Sequence, residues 1–298
     1  TLGSVSVICT DKTGTLTRNE MMVATLATAG HHYKVTGDGY APMGAVQAPG
    51  ADDGERAILQ EVARIAGLCN ESVLRGPEGG WRVEGDPMEG ALLTLMRKIS
   101  GEGPEAFANW TRRNAIPFDA AHRYMATLDH DGAKRTAIHV KGAPEAVLAL
   151  CADQRAADGG SEPLEEEHWH RMVEDIAAEG QRVIAIAARD ASQDDTTLKS
   201  TDLDGKLTLI GLIGLIDPPR AEAVEAVAEC HAAGIRVKMI TGDHAATACA
   251  IGEMIGLRNH VRVLTGADLE ALDDSALADA AIETDIFART SPAHKLRL

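Results

Sequence analysis

The sequence predicts an α/β protein: a mostly parallel sheet interrupted by an inserted α+β domain. Three observations carry this. The second half alternates strand-like and helix-like segments, the habit of parallel sheets. The middle mixes helices with strands joined by a tight turn, as antiparallel sheets do. An apolar strand near the N-terminus, Val5 to Thr10 running into Asp11, has no alternating partners until the chain passes Leu207. The middle therefore reads as an insertion, with expected limits 1–24 and 212–298 for the parallel domain and 25–211 for the insertion.

Each element follows from its pattern. Glu55–Asn70 and Met88–Ile99 place Leu, Ile and Ala at three-to-four spacing and predict helices. Ile116–Phe118, Tyr124–His130 and Thr136–Val140 are strand-like, with Asp131-Gly132 as the turn between the last two. Leu164–Ala178 predicts a helix and Val183–Ala188 a strand. Leu207–Ile216 is almost wholly apolar and reads as a buried strand opening the alternating half. There follow a helix over Pro219–Ala233, a strand over Ile235–Ile240 and a helix over His244–Ile255 that Gly256 closes. Short strands are expected at Val261–Leu264 and Ile286–Ala288, with a helix over Ser275–Ile282 between them. Ser291-Pro292 has the form of an N-cap and first helical residue. Gly37–Gly54, Arg75–Gly80 and Ala156–Pro163 read as surface loops.

Composition narrows the function. A net charge of -16 excludes nucleic acid as the main partner, because a phosphate backbone rewards a basic face. The longest apolar run, Leu207–Ile216, is shorter than the roughly 20 residues of a bilayer span. No secretory leader is visible. The cysteines (Cys9, Cys69, Cys151, Cys230, Cys249) are scattered, odd in number and without a C-x-x-C, so reduced core thiols in a cytosolic setting are expected. His31-His32 has no partner at metal-ligand spacing, and His294 is expected on a helix surface.

The chemistry lies at strand ends, beyond which parallel sheets bind ligands. Asp11 opens D-K-T-G-T; another strand runs into Thr241-Gly242-Asp243; a third runs into Asp217-Pro218-Pro219-Arg220, where Asp217 is either a helix cap or a further site carboxylate. Lys295 follows the last short strand. A carboxylate nucleophile, hydroxyls, a lysine and glycines that let backbone N–H groups approach an anion suit phosphoryl transfer. Mg²⁺ is expected on Asp11 and the main-chain carbonyl near Thr13. There is no G-x-x-x-x-G-K-[ST] and no G-x-S-x-G, so a P-loop and a hydrolase elbow are excluded.

Taken in order, D-K-T-G-T-L-T, G-D-P-M-E-G-A-L (85–92), P-F-D-A-A-H-R-Y-M (117–125), K-G-A-P-E (141–145), D-P-P-R (217–220) and M-I-T-G-D (239–243) resemble the motifs of P-type ATPases, of the type-II cation-pump kind. The resemblance covers essentially the whole chain. It implies a haloacid-dehalogenase-like phosphorylation domain, incomplete here, with an inserted nucleotide-binding domain. It implies that Asp11 becomes the aspartyl phosphate, with Thr13 as backbone metal ligand and Thr241, Gly242, Asp243 and Lys295 around the phosphoryl group. It implies ATP stacked on Phe118, with Glu89, Arg123, Lys141 and Gly142 about the base and ribose, and Arg182 reaching the phosphates.

Phosphatases of the wider superfamily resemble this pattern but carry an Asp where this chain has Thr13, so an aspartyl phosphate is expected to persist. The resemblance also implies a membrane-embedded parent with this portion on the cytoplasmic side. The parent's own transmembrane and actuator domains would be partners, and the transported cation would bind elsewhere. A Gly-Asp-Gly-x-Asn-Asp motif with a second metal-binding aspartate would follow Leu298, so weak or absent phosphorylation is expected of this stretch by itself.

Overall fold

A computed structural model describes residues 5–47, 52–77, 80–259 and 262–298. The chain divides into two compact units. The first takes the segment up to Glu20, Ala177–Gln181 and Asp217–Leu298; the second takes Met21–Ile176 and Arg182–Ile216.

In chain order the elements are β1 (Val7–Asp11), β2 (Met22–Ala27), β3 (His32–Lys34), α1 (Asp53–Leu68), β4 (Val73–Arg75), β5 (Arg82–Glu84) and α2 (Pro87–Ser100). Next come β6 (Thr111–Ile116), β7 (Tyr124–His130), β8 (Thr136–Gly142), α3 (Pro144–Leu148), β9 (Cys151–Arg155), β10 (Ser161–Pro163), α4 (Glu166–Ala178), β11 (Arg182–Ala191) and β12 (Leu207–Ile216). The chain ends with α5 (Ala221–Ala232), β13 (Arg236–Ile240), α6 (Ala245–Met254), β14 (Val263–Thr265), α7 (Gly266–Ala271), α8 (Asp274–Glu283), β15 (Ile286–Ala288) and α9 (Pro292–Arg297).

In the first unit, β1, β13, β15 and β14 form a parallel sheet in that order. Ile240, Leu269, Leu277 and Phe287 pack together on it. Ser291 caps α9 by accepting from the His294 amide at 3.3 Å, with Pro292 as first helical residue.

The second unit is built on a sheet ordered β10-β9-β12-β11-β8-β7-β6, with β2 and β3 extending it beside β12. Its β7–β8 turn is tied by Asp131, whose carboxylate accepts from the amides of Ala133, Lys134 and Arg135 at 2.8–2.9 Å. Helices α1 and α2 pack Ile58, Val62, Ile65, Leu92 and Leu95 against Ile210, Ile213 and Leu215 of β12. A second cluster joins Leu207, Leu209 and Leu212 to Val147, Leu148, Trp169 and Ile176. The fully buried Trp169 still satisfies its indole N–H on Gln154 Oε1 at 2.7 Å.

Several expectations change. The buried strand Leu207–Ile216 forms with those limits but joins the second unit, antiparallel to β11 and β2, rather than the parallel sheet. An apolar strand buried on both faces suits either kind of sheet, so its pattern does not choose its partner. Phe118 lies beyond β6 and is 59% exposed rather than in a strand. His294 is buried, because it folds back on its own cap and reaches Glu270 Oε1 with Nε2 at 3.2 Å. All five cysteines are free, but only Cys69 is fully buried and Cys9 is exposed. Among the expected loops and strands, positions 48–51, 78–79 and Val261 lie outside the described residues.

His139 on β8 is wholly buried. Its Nδ1 faces Asp129 Oδ2 at 2.9 Å, Arg64 Nε lies 3.4 Å from its Nε2, and the Trp110 ring meets it edge-on. Burial pushes the imidazole below its usual range, despite the pull of Asp129 in the other direction. A depressed histidine leaves stability intact above the unfolded pKa of about 6.5 and removes it as the pH falls below that value, when only the unfolded chain takes the proton. The urea midpoint of the second unit is therefore expected to fall from pH 7.5 to pH 5.5. In His139→Asn, though less stable at pH 7.5, the fall should be smaller; equal falls would show that His139 does not contribute.

Candidate functional site

The first unit gathers polar residues at one sheet edge. Parallel pairing sets Asp11 of β1 opposite Ile240 of β13, so Thr241-Gly242-Asp243 leaves the sheet beside Asp11. After Asp11 the chain turns tightly over Lys12–Leu16. Gly14 has a φ of 75°, a left-handed value that favours glycine, and the Thr17 amide closes the turn on the Lys12 carbonyl at 3.1 Å.

The Asp11 carboxylate is half exposed and ion-paired with Lys295 in the last turn of α9. Thr13 and Gly242 are exposed. Thr241 is buried, and its hydroxyl accepts from the Asp243 amide at 3.0 Å. Thr290 donates to the Thr241 carbonyl through both its amide and its hydroxyl, which fixes the loop.

The pattern of the sequence did not single out Lys12. Its side chain is buried, with Nζ 2.6 Å from Asp243 Oδ2 and 3.6 Å from Asp217 Oδ2. Asp217 also accepts from the Thr17 hydroxyl at 2.6 Å. It is no helix cap, since α5 begins only after Arg220. A buried lysine can be argued from sequence only when its carboxylate partners are known, and these lie more than two hundred positions downstream.

In the second unit, Glu89, Phe118, Arg123, Lys141, Gly142 and Arg182 all line one cavity of about 380 Å³. That volume is within the range of small-molecule sites. Helix α2 presents Glu89 in its first turn because Asp86 caps it, accepting from the Met88 and Glu89 amides at 2.9 and 3.2 Å. Strand β8 ends at Lys141-Gly142, and β11 begins at Arg182, antiparallel to it. Lys141 Nζ donates to Glu89 Oε1 at 2.5 Å. Burial resists charge on Glu89, but the Lys141 ammonium and hydrogen bonds from Glu71 and Ser72 hold its carboxyl below the usual range.

Gly142 is required by close packing, because a Cβ there would sit 2.5 Å from the Arg123 carbonyl oxygen and 2.7 Å from Tyr124 Cα. Arg123 itself has a left-handed φ of 58°, and its guanidinium pairs with Glu145. Phe118 offers the cavity an exposed ring, and Arg123 and Arg182 supply cationic edges. Glu71, Asp86 and Met88 also line the cavity; Asp86 and Met88 fall within G-D-P-M-E-G-A-L but were not singled out as site residues, and Glu71 lies outside every quoted motif.

Among the described residues no group of three or more His, Cys, Asp or Glu is assembled to cage a metal. No helix among them is long and apolar enough to cross a membrane.

Lys12→Met strands two carboxylates around an apolar side chain and is expected to destabilise the first unit by about 3 kcal/mol. Adding Asp243→Asn should recover part of that loss. Urea unfolding of both variants checks it; a single variant as stable as the unaltered chain would show that the pair contributes nothing.

Comparison with known proteins identifies the family. The family model for the P-type ATPase cytoplasmic domain N matches residues 58–222. The whole chain aligns at 40% identity with the cation-transporting ATPase pma1 of Synechocystis, covering 34% of that protein. It aligns over its whole length at 41% with the probable cation-transporting ATPase F of Mycobacterium tuberculosis and at 34% with a calcium-transporting ATPase of Bacillus subtilis, covering 34% of each. The chain thus spans about a third of the length of these curated relatives. With a family model matching more than half of its residues, the chain belongs to the P-type ATPase family.

Proposed function

We propose that this chain is the catalytic portion of an ATP-driven cation pump, with ATP bound in the second unit and its γ-phosphoryl group passed to Asp11. The observation that carries the reading is the convergence of an exposed aromatic ring, a buried lysine–glutamate pair and two arginines on one cavity. The Phe118 ring gives a purine a flat apolar platform. Lys141 and Glu89 meet polar atoms at the base end, and Arg123 and Arg182 meet anionic ones. The names of the relatives, cation- and calcium-transporting ATPases, support the pump. The transported cation, the parent's transmembrane and actuator domains and the cytoplasmic placement belong to the same reading.

At the first unit, a carboxylate oxygen of Asp11 attacks the γ-phosphorus. The bond from that phosphorus to the β,γ-bridging oxygen breaks, ADP leaves, and an aspartyl phosphate remains. Lys295 meets the charge on the phosphoryl oxygens. Gly14 and Gly242 border open space, since a Cβ at either position would meet no other atom within 4 Å, and without a side chain they let an anion approach the backbone there. The donor set fits Mg²⁺, which takes one or two carboxylates and completes its shell with water and substrate phosphate. Asp11 and the main-chain carbonyl of Thr13 would hold it, and when bound it supplies charge neutralisation. Thr13 stands where a free phosphatase needs a second carboxylate, which supports a persistent phosphoenzyme. The haloacid-dehalogenase-like assignment of the parallel sheet belongs to this proposal as well.

Titration calorimetry with ATP tests the binding step. Phe118→Ala is expected to weaken ATP about tenfold, in line with the 1–3 kcal/mol of an aromatic–base stack, and Lys141→Met should weaken it as well. Unchanged affinity in both would remove the proposed base site. For the transfer step, label from γ-labelled ATP is followed in a chain extended to the full length of its relatives. Label is expected on the unaltered protein and none on Asp11→Asn; label retained by the variant would disprove the nucleophile.

A further inference from the structure

Glu89 does not stand alone at the floor of the cavity. Its Oε1 takes the Lys141 ammonium, and its Oε2 accepts from the Ser72 hydroxyl at 2.9 Å and the Glu71 amide at 3.0 Å. Ser72 does more than donate. Its oxygen accepts from the Asp86 amide at 2.9 Å, and Asp86 is the cap of the helix that carries Glu89. Its own amide donates to Asn70 Oδ1 at 2.9 Å. Asn70 in turn donates through Nδ2 to the Glu89 and Ala66 carbonyls at 2.9 and 3.1 Å. Arg112, from β6, holds the Asn70 carbonyl at 2.9 Å and also binds that of Leu68 at the end of α1.

Ser72 does not line the cavity, whereas Glu71, Asp86 and Glu89 do. The hydroxyl therefore acts from behind, on the orientation of a carboxylate that faces the cavity. A carboxylate offers about four acceptor positions. Three are occupied, so one remains, and its direction is set by the other three. Room behind it is closed too: a Cβ on Gly85 would sit 2.3 Å from Ser72 Oγ.

We infer that Ser72, held by Asn70, is a positioning residue that fixes the Glu89 carboxylate with one acceptor position turned to the cavity, so that the site prefers a purine whose 6-substituent donates a hydrogen bond, the amino group of adenine, over one whose 6-substituent only accepts, the oxo group of guanine. This rests on the proposed ATP site. It deepens that reading by assigning base selectivity to a hydroxyl outside the cavity.

The test is calorimetry on the full chain with ATP, GTP and adenosine, for the unaltered protein, Ser72→Ala, Glu89→Gln and the double variant. Ser72→Cys, whose thiol is only a weak donor, replaces Ser72→Ala if the alanine variant does not fold. Ser72→Ala is expected to weaken ATP and adenosine alike by about tenfold, the scale of a hydrogen bond to a charged group, and GTP less. The double variant should bind no worse than Glu89→Gln, because the hydroxyl acts only through that carboxylate.

The pH profile separates positioning from mere packing. Between pH 6 and pH 4.5 adenosine affinity should hold in the unaltered chain and fall in Ser72→Ala, where loss of the hydroxyl releases the carboxyl toward its ordinary range and it takes up a proton sooner. An ATP-to-GTP ratio and pH profile unchanged by Ser72→Ala, or effects that simply add in the double variant, would overturn the inference while leaving the ATP site standing. An unaltered chain that binds none of the three would overturn the site itself and the inference with it.

Discussion

The second unit is organised by the need to cover β12 on both faces. Its ten residues carry Leu, Ile, Gly and a single Thr, and nearly all are buried. A strand of that kind cannot lie at a wetted surface, so helices must cover it above and below. Helices α1 and α2 cover Ile210, Ile213 and Leu215; α3 and α4 cover Leu207, Leu209 and Leu212. Once β11 pairs with β12 and β8 with β11, the end of β8 and the start of β11 meet at one edge. Lys141, Gly142 and Arg182 are those ends. The same helix that covers β12 delivers Glu89 to Lys141. The cavity is thus a by-product of burying one apolar strand, and its chemistry was added where the strands stop.

Charge is used differently in the two units. In the second, Lys141 and Glu89 are both withdrawn from water, and further hydrogen bonds offset the desolvation of the carboxylate. In the first, Lys12 is buried between Asp243 and Asp217, and Lys295 and Asp11 keep half their exposure. The buried lysine shapes the loops; the exposed pair remains free to exchange partners. On the proposed reading Asp11 accepts a phosphoryl group, which requires that it not be committed to a buried partner, and its Lys295 partner is exposed.

Local pattern carried much of the fold. Tyr124–His130, Leu207–Ile216 and Ile286–Ala288 form with the limits expected of them, because unbroken apolar or alternating runs and flanking turn residues are local signals. Non-local choices were not legible. Nothing within Leu207–Ile216 says that it pairs with Met22–Ala27 rather than with β1. The burial of His294 depends on α7, a short helix that no periodicity announced. At the candidate site, the motifs located six residues that converge on one cavity. They were silent on Lys12 and Ser72, whose roles exist only through Asp243 and Glu89, brought near by folding.

The ends of the long insertion are themselves a paired couple: Met22 lies in register with Ile216. Just outside it, the Glu20 amide donates to Asp217 Oδ1 across 197 positions of sequence, and Thr17 bridges to Pro219. A loop of that length closing by chance pays an entropy that rises with the logarithm of its length. Here the insertion closes the loop for its host. When β2 docks on β12, residues 20 and 217 become neighbours, and β1, made before the insertion, gains access to β13 as though only a short connection separated them. The most distant pairing of the discontinuous sheet, β1 with β13, is thus made local by the strand pair that closes the insertion.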